Sequence, residues 1–187
     1  MINADEIFRK SGAVRHGHFL LASGLHSPVY WEKFQVLQYP EYTMDLCKMI
    51  ANHFKDQHIE VVAGPTTGGV ILAYEVAKQL GVRGIFAEKV ATGGRAFRRG
   101  FSIGKGERVL IVDDIMTTGG SIMETIDAVK KLGGNIVGIG VLVDRSEKKN
   151  ELGFPLYCCY KANEITYKPE NCPLCLGGKP LVKPGGS

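Results

Sequence analysis

Between Val109 and Ile122 the chain reads VLIVDDIMTTGGSI. Two adjacent carboxylates, Asp113 and Asp114, stand where an apolar run ends. After Ile115 and Met116 comes a turn of Thr117, Thr118, Gly119, Gly120 and Ser121. The hydroxyls and backbone N–H groups of such a turn, at the positive end of a helix starting near Gly119, suit an anion, most naturally a phosphate. The glycines let the backbone approach the ligand closely. Carboxylates cannot bind phosphate themselves, so Asp113 and Asp114 suit hydroxyls or a cation-bound group beside it. A sugar phosphate meets both demands. A plainer alternative, a Gly-rich strand-to-helix turn that the two acids merely cap, is left open by these residues alone.

No Gly-x-x-x-x-Gly-Lys-Ser/Thr and no helix-opening Gly-x-Gly-x-x-Gly occurs in the chain, so P-loop and dinucleotide readings lack their key residues. A second chemically suggestive segment, FAEKVATGGRAFRRG, carries Lys89, Arg95, Arg98 and Arg99 around Gly93 and Gly94. It has the make-up of a lid that brings positive charge over an anionic transition state, with a solvated basic loop as the bland alternative.

These loops must be held by regular elements. NADEIFRK opens with Asn3 three residues before Glu6, a loose capping box, and predicts a short helix ending at Gly12. FLLASGLHSPVYWEKF reads as turn and strand. Helical spacing from YPEYTMDLCKMIANHF gives way to the strand IEVVAG. Gly68 to Leu80 is again helical, RGIFAE and RVLIV are strand-like, Gly119 to Leu132 is helical, and IVGIGVLV is a strand. Continuously apolar strands alternating with helices predict a doubly wound α/β fold, a mostly parallel sheet with helices on both faces. Ligands of such sheets bind outside the carboxyl ends of the strands, where VVAGPTTGG, FAEKVATGGRAFRRG and LIVDDIMTTGGS all fall. After Asp144 the periodicity is lost, and PENCPLCLGGKPLVKPGGS is rich enough in Pro and Gly to predict an extended tail.

A length of 187 residues predicts one domain, and the balance of 44% hydrophobic with 22% charged residues argues against disorder. Apolar runs such as Ile136 to Val143 are too short to span a bilayer, and MINADEIFRK lacks the apolar core of a secretory signal, so no membrane association and a cytoplasmic location are expected. A net charge of +4 is too mild to imply a nucleic-acid partner. Five cysteines without even spacing read as reduced thiols. Cys172 and Cys175 have the spacing of half a zinc site. Structural zinc needs four ligands, and no second Cys/His pair stands nearby at a comparable spacing, so a plain turn is expected.

An apolar strand followed by Asp113-Asp114, two apolar residues and Thr117-Thr118-Gly119-Gly120-Ser121 resembles the signature for phosphoribosyl pyrophosphate (PRPP) of the type I phosphoribosyltransferases. The resemblance implies that Asp113 and Asp114 hold the ribose hydroxyls and that the turn holds the 5′-phosphate. It implies the type I fold with a small N-terminal hood: a base-binding hood over about 1–40, a core over about 41–147 and an irregular tail over about 148–187, in one domain. GPTTGG resembles the family's pyrophosphate loop, which assigns Thr66, Thr67 and Gly68 to the leaving group. Mg²⁺ is implied, held mainly by PRPP and water, with no protein ligand expected. The family's lid reaches into a neighbouring subunit's site, which implies a homodimer.

Within the family, hypoxanthine-guanine enzymes usually carry an acid where this chain has Thr117. A hydroxyl there, with Arg145 in the sequence DRSE, suits a carboxylated base. For Arg145 alone a surface ion pair with Glu147 is the equal alternative. Both positions resemble the orotate phosphoribosyltransferases, as does SGLHSPVYW, whose Tyr30 and Trp31 would lie against the pyrimidine. Departures are Ala22 and Gly68, where many members have Lys, and a lid with Glu88-Lys89 and Arg98-Arg99 in place of an Arg-Lys pair and a His.

Overall fold

The computed structural model describes residues 3–21, 23–146, 152–162 and 165–184; Ala22 and Glu147 lie outside the described residues. From the N-terminus the elements are α1 (Ala4–Lys10), β1 (Val14–Leu20), β2 (His26–Trp31), α2 (Lys33–Leu37), α3 (Pro40–Phe54), β3 (Val61–Pro65), α4 (Gly68–Leu80) and β4 (Arg83–Lys89). They continue with β5 (Arg95–Phe97), β6 (Arg108–Met116), α5 (Gly120–Lys131), β7 (Asn135–Asp144), β8 (Leu156–Lys161) and α6 (Pro173–Leu176). The chain divides into two compact units, Leu37–Ala162 and a smaller one made of Met1–Val36 with Asn163–Ser187.

The larger unit holds a six-stranded sheet in the order β5-β4-β3-β6-β7-β8. Every neighbouring pair is parallel except β4 with β5. All five residues of β3 are buried, as a strand covered on both faces requires. One face of the sheet contributes Val61, Val109, Ile111 and Ile139 to a core completed by Ile122, Ile126 and Val129 of α5. The other face takes α3: Cβ atoms added to Gly138 and Gly140 of β7 would strike Phe54 and Ile50 respectively, so these glycines make room for the helix. The doubly wound arrangement expected from the alternating pattern is the one observed.

Two strands depart from expectation. Residues 89–100, read as a loop, form a hairpin in which β5 pairs antiparallel with β4, and the Val90 N–H donates to the Gly94 carbonyl at 3.2 Å. Residues 156–161, assigned to the irregular tail, form β8 at the sheet edge beside β7. Five of its six residues are half-buried and the last exposed, so it lacks the alternation by which a strand announces itself.

In the smaller unit Asn3 caps α1 as expected, its side chain accepting the Glu6 N–H at 2.8 Å. The helix buries Ile7 and Phe8, and Phe8 meets Trp31 edge-on with ring centroids 5.2 Å apart. β1 and β2 form an antiparallel hairpin that sets Leu20 opposite His26. The C-terminal residues are stitched to it. His26 and Tyr167 exchange both backbone hydrogen bonds at 2.8 Å, Leu20 N–H donates to the Val182 carbonyl at 2.9 Å, and Val182 N–H donates to the His18 carbonyl at 2.8 Å. The expected irregular tail is thus shared between the sheet and this hairpin. The expectation that no second Cys/His pair stands near Cys172 and Cys175 is corrected too: His18 and His26 arrive from the hairpin and face the two thiols.

Candidate functional site

β3 is followed by β4 on one side of it and β6 lies on the other, so the direction of winding reverses between β3 and β6. In an open α/β sheet the crevice for ligands opens at that point, beyond the carboxyl ends of the strands. Both neighbouring strands feed a helix there: α4 begins at Gly68 and α5 at Gly120, so two helix N-termini with unpaired N–H groups flank one crevice.

Asp113 and Asp114 lie at the end of β6 and are 5% and 2% exposed. They are therefore fixed groups rather than mobile surface acids. Asp113 is bound by the chain through both oxygens: Oδ1 accepts the Asp114 N–H at 2.9 Å and Oδ2 accepts the Ser121 hydroxyl at 2.6 Å. It thereby ties the strand end to the first turn of α5. Asp114 Oδ1 accepts the Ile115 N–H at 2.6 Å, and its Oδ2 lies against Gly68, where any Cβ would collide with it. Ile115 and Met116 are strand residues, Ile115 half-buried and Met116 in the core.

The turn itself faces outward. Thr117, Thr118 and Gly120 are exposed and Ser121 is half-buried. Gly119 has φ +77°, a conformation that side chains resist, and its carbonyl accepts the Met123 N–H at 2.8 Å to start α5. Hydroxyls and N–H groups at an exposed helix start, backed by buried carboxylates, form a cradle for a phosphate with hydroxyls attached. Thr67 is exposed beside it at the start of α4, and Thr66 is held by its N–H to the Ala87 carbonyl at 3.0 Å.

Arg145 follows β7. The register of β6 and β7 sets Met116 opposite Asp144, and the Arg145 N–H donates to the Met116 carbonyl at 2.8 Å, one residue before Thr117. Asp144 braces this position by accepting Lys161 Nζ at 2.8 Å, the Ser146 N–H at 2.8 Å and the Ser146 hydroxyl at 2.6 Å. Burial opposes its charge, but these hydrogen bonds outweigh burial and hold its carboxyl below the usual range.

The four basic residues of the 89–100 segment are not equivalent. Arg95 is buried: its Nη1 donates to Thr66 Oγ1 at 3.1 Å and to the Ala87 carbonyl at 3.2 Å, and its Nε lies 3.2 Å from Glu124 Oε2. It braces Thr66, a contact that the sequence does not announce. Arg99 is exposed but forked onto Glu88, with Nη2 to Oε1 at 2.9 Å and Nε to Oε2 at 3.2 Å. That contact lowers the Glu88 carboxyl below its ordinary value. Lys89 and Arg98 are exposed.

Tyr30 and Trp31 lie in the smaller unit. Adjacent residues of a strand point to opposite faces. Trp31 is in that unit's core against Phe8, whereas Tyr30 is half-buried with its ring tilted against Phe19 at 5.6 Å.

A winding reversal with buried acids behind an exposed helix-start turn marks the ligand crevice of a doubly wound fold, and the class of protein follows from comparison. The family profile described as "Phosphoribosyl transferase domain" matches residues 34–173. Among known proteins the chain is 51% identical over 180 residues to an orotate phosphoribosyltransferase of Desulforamulus reducens, covering 96% of this chain and 94% of that one. It is 44% identical over 187 residues to the orotate phosphoribosyltransferase of Chlorobaculum parvum, covering 99% and 96%. The crystal structure of orotate phosphoribosyltransferase from Aeropyrum pernix aligns with a TM-score of 0.71 at 29% identity, covering 84% of this chain and 92% of that one. The chain belongs to the orotate phosphoribosyltransferase family.

Proposed function

We infer that the protein transfers the 5-phosphoribosyl group of PRPP to orotate, giving orotidine 5′-monophosphate and pyrophosphate in pyrimidine nucleotide synthesis. The bond from ribose C1 to a pyrophosphate oxygen breaks, a bond from C1 to a ring nitrogen of orotate forms, and that nitrogen's proton is released. The observation that carries the choice of base is the hydrogen bond from the Arg145 N–H to the Met116 carbonyl, which keeps a guanidinium-bearing residue beside Thr117. A guanidinium and a hydroxyl are the donors a carboxylated base needs.

In this reading Asp114, with Asp113 holding the strand end in place, takes the ribose hydroxyls, and Thr117 to Ser121 take the 5′-phosphate. Thr66, Thr67 and Gly68 take the pyrophosphate. The ribose gains oxocarbenium character as the bond breaks, and buried carboxylates on one side with cations on the leaving group stabilise it. Lys89 and Arg98 are the exposed lid residues suited to that task, and Tyr30 is the ring suited to the pyrimidine. The aspartates are oxygen donors of the kind Mg²⁺ accepts, so they fit a contact to the ion through water, its main ligands being oxygens of PRPP and water. Bound there, Mg²⁺ neutralises the departing pyrophosphate.

The reading includes a homodimer that shares its lids, tested by mixing Asp114→Asn with Arg98→Ala: activity regained by the mixture supports sharing, and none argues against it. It also includes a cytoplasmic setting, in keeping with five free cysteines; no helix among the described residues is long and apolar enough to cross a membrane. The principal test follows orotate consumption with PRPP and Mg²⁺, with adenine, hypoxanthine and uracil offered in parallel. Arg145→Ala should lower kcat/KM for orotate roughly 10- to 100-fold, the worth of a charge-assisted hydrogen bond. Turnover of another base in preference to orotate, or indifference to Arg145→Ala, would overturn the assignment of the base.

A further inference from the structure

His18 on β1, His26 on β2 and the two cysteines flanking Pro173-Leu174 bring one ligand atom each into a cluster in which all four lie within 4.8 Å of one another. His18 Nε2 is 2.9 Å from His26 Nδ1, 3.5 Å from Cys172 Sγ and 3.7 Å from Cys175 Sγ, and His26 Nδ1 is 3.4 Å from Cys175 Sγ. A tetrahedral zinc ion, with bonds of about 2.0–2.1 Å to nitrogen and about 2.3 Å to sulfur, sets its nitrogen and sulfur ligands about 3.5 Å apart. The three observed nitrogen–sulfur separations match that spacing.

The outer hydrogen bond of His18 agrees. His18 Nδ1 lies 2.8 Å from the Lys179 carbonyl, which can only accept, so the proton sits on Nδ1 and the Nε2 lone pair points at the thiols. A metal-ligating histidine characteristically gives its other N–H to such a carbonyl. His18 is 2%, His26 5% and Cys172 1% exposed, so water does not serve these groups. Two thiolates and two neutral imidazoles around Zn²⁺ sum to zero charge, a form that burial tolerates. A dithiol acting alone would need Cys172 and Cys175 but gives the converging imidazole nitrogens no task.

We propose that His18, His26, Cys172 and Cys175 bind one structural zinc ion, which fastens the C-terminal knuckle to the N-terminal hairpin. The buried apolar side chains of this unit are few, chiefly Ile7, Phe8, Phe19, Trp31 and Val36. A unit of about 60 residues gains from a metal staple what a larger core would otherwise supply. The thiol and imidazole donors of the site suit zinc rather than Mg²⁺.

The test uses the full chain purified without chelator. About one zinc per chain is expected by mass spectrometry of the metal, falling below about a tenth in Cys172→Ser/Cys175→Ser. Cobalt substitution of the wild-type protein, which needs no variant to fold, should give the visible bands of a tetrahedral thiolate site. Stripping zinc should lower Tm, and zinc but not magnesium should restore it. No cobalt spectrum in reduced, folded protein would overturn the proposal, as would zinc retained by the double variant or a Cys172–Cys175 disulfide that persists with zinc supplied. Metal content, spectrum and Tm are read without reference to orotate turnover.

Discussion

Asp114 Oδ2 fills the space that a side chain on Gly68 would need, so the first residue of α4 and the second acid of β6 are fitted to each other. A side chain at this position is incompatible with Asp114 in the conformation seen here. Gly68→Ala should displace the carboxylate, cost about 1–3 kcal/mol of stability as overpacking does, and raise KM for PRPP. Urea unfolding and initial rates measured together check this; an unchanged KM would show that the position of Asp114 does not govern PRPP binding.

Arg95 and Arg98 stand three residues apart and should answer differently to alanine. Arg95→Ala removes two hydrogen bonds and a contact with Glu124 from a buried position, so a stability loss of about 2–4 kcal/mol is expected along with reduced activity. Arg98→Ala should leave stability within about 0.5 kcal/mol and weaken only catalysis, the more so at low salt. Equal unfolding midpoints for the two variants would contradict the bracing role of Arg95.

The Asp144 carboxyl is held below its ordinary value, so its bonds contribute stability above the unfolded-state pKa of about 4, and that contribution is lost as pH falls through the lower folded value. Lys161→Met removes one of the bonds that hold it down. Acid unfolding of this variant should begin at higher pH than in the wild type. Coincident acid transitions would show that Lys161 contributes nothing to the charged form.

Burial pushes the Cys47 thiol far up, and burial followed by the neighbouring Cys158 pushes Cys159 up to about 12. Thiolate is the reactive form, so at pH 8 neither should react with a disulfide reagent until the protein unfolds. Modified peptides identified by mass spectrometry before and after denaturation decide it, and rapid native labelling of Cys47 would refute the buried assignment.

The sequence made the central architecture legible because β3 is apolar throughout, β6 and β7 carry apolar runs (109–112 and 136–143), and α4 and α5 begin at glycine-rich turns, so period and punctuation agree. The turn from Thr117 to Ser121 was legible as a strand-to-helix connection because its residues are contiguous. The burial of Arg95 was not legible because its partners, Thr66, Ala87 and Glu124, are remote in sequence, and an arginine in a basic stretch looks solvated. β8 was missed because an edge strand half-buried along its length has no period to detect. His18 lies 154 residues from Cys172, and no spacing rule spans such a gap; the hydrogen bonds that lay residues 167 and 182 along the hairpin help bring the two together.

Those hydrogen bonds give the chain an order of assembly. A nascent chain that has reached residue 162 already carries all six strands of the main sheet, while β1 and β2, made first, still lack Tyr167, Val182 and both cysteines. The middle of this protein thus contains its whole main sheet, whereas its beginning needs its end.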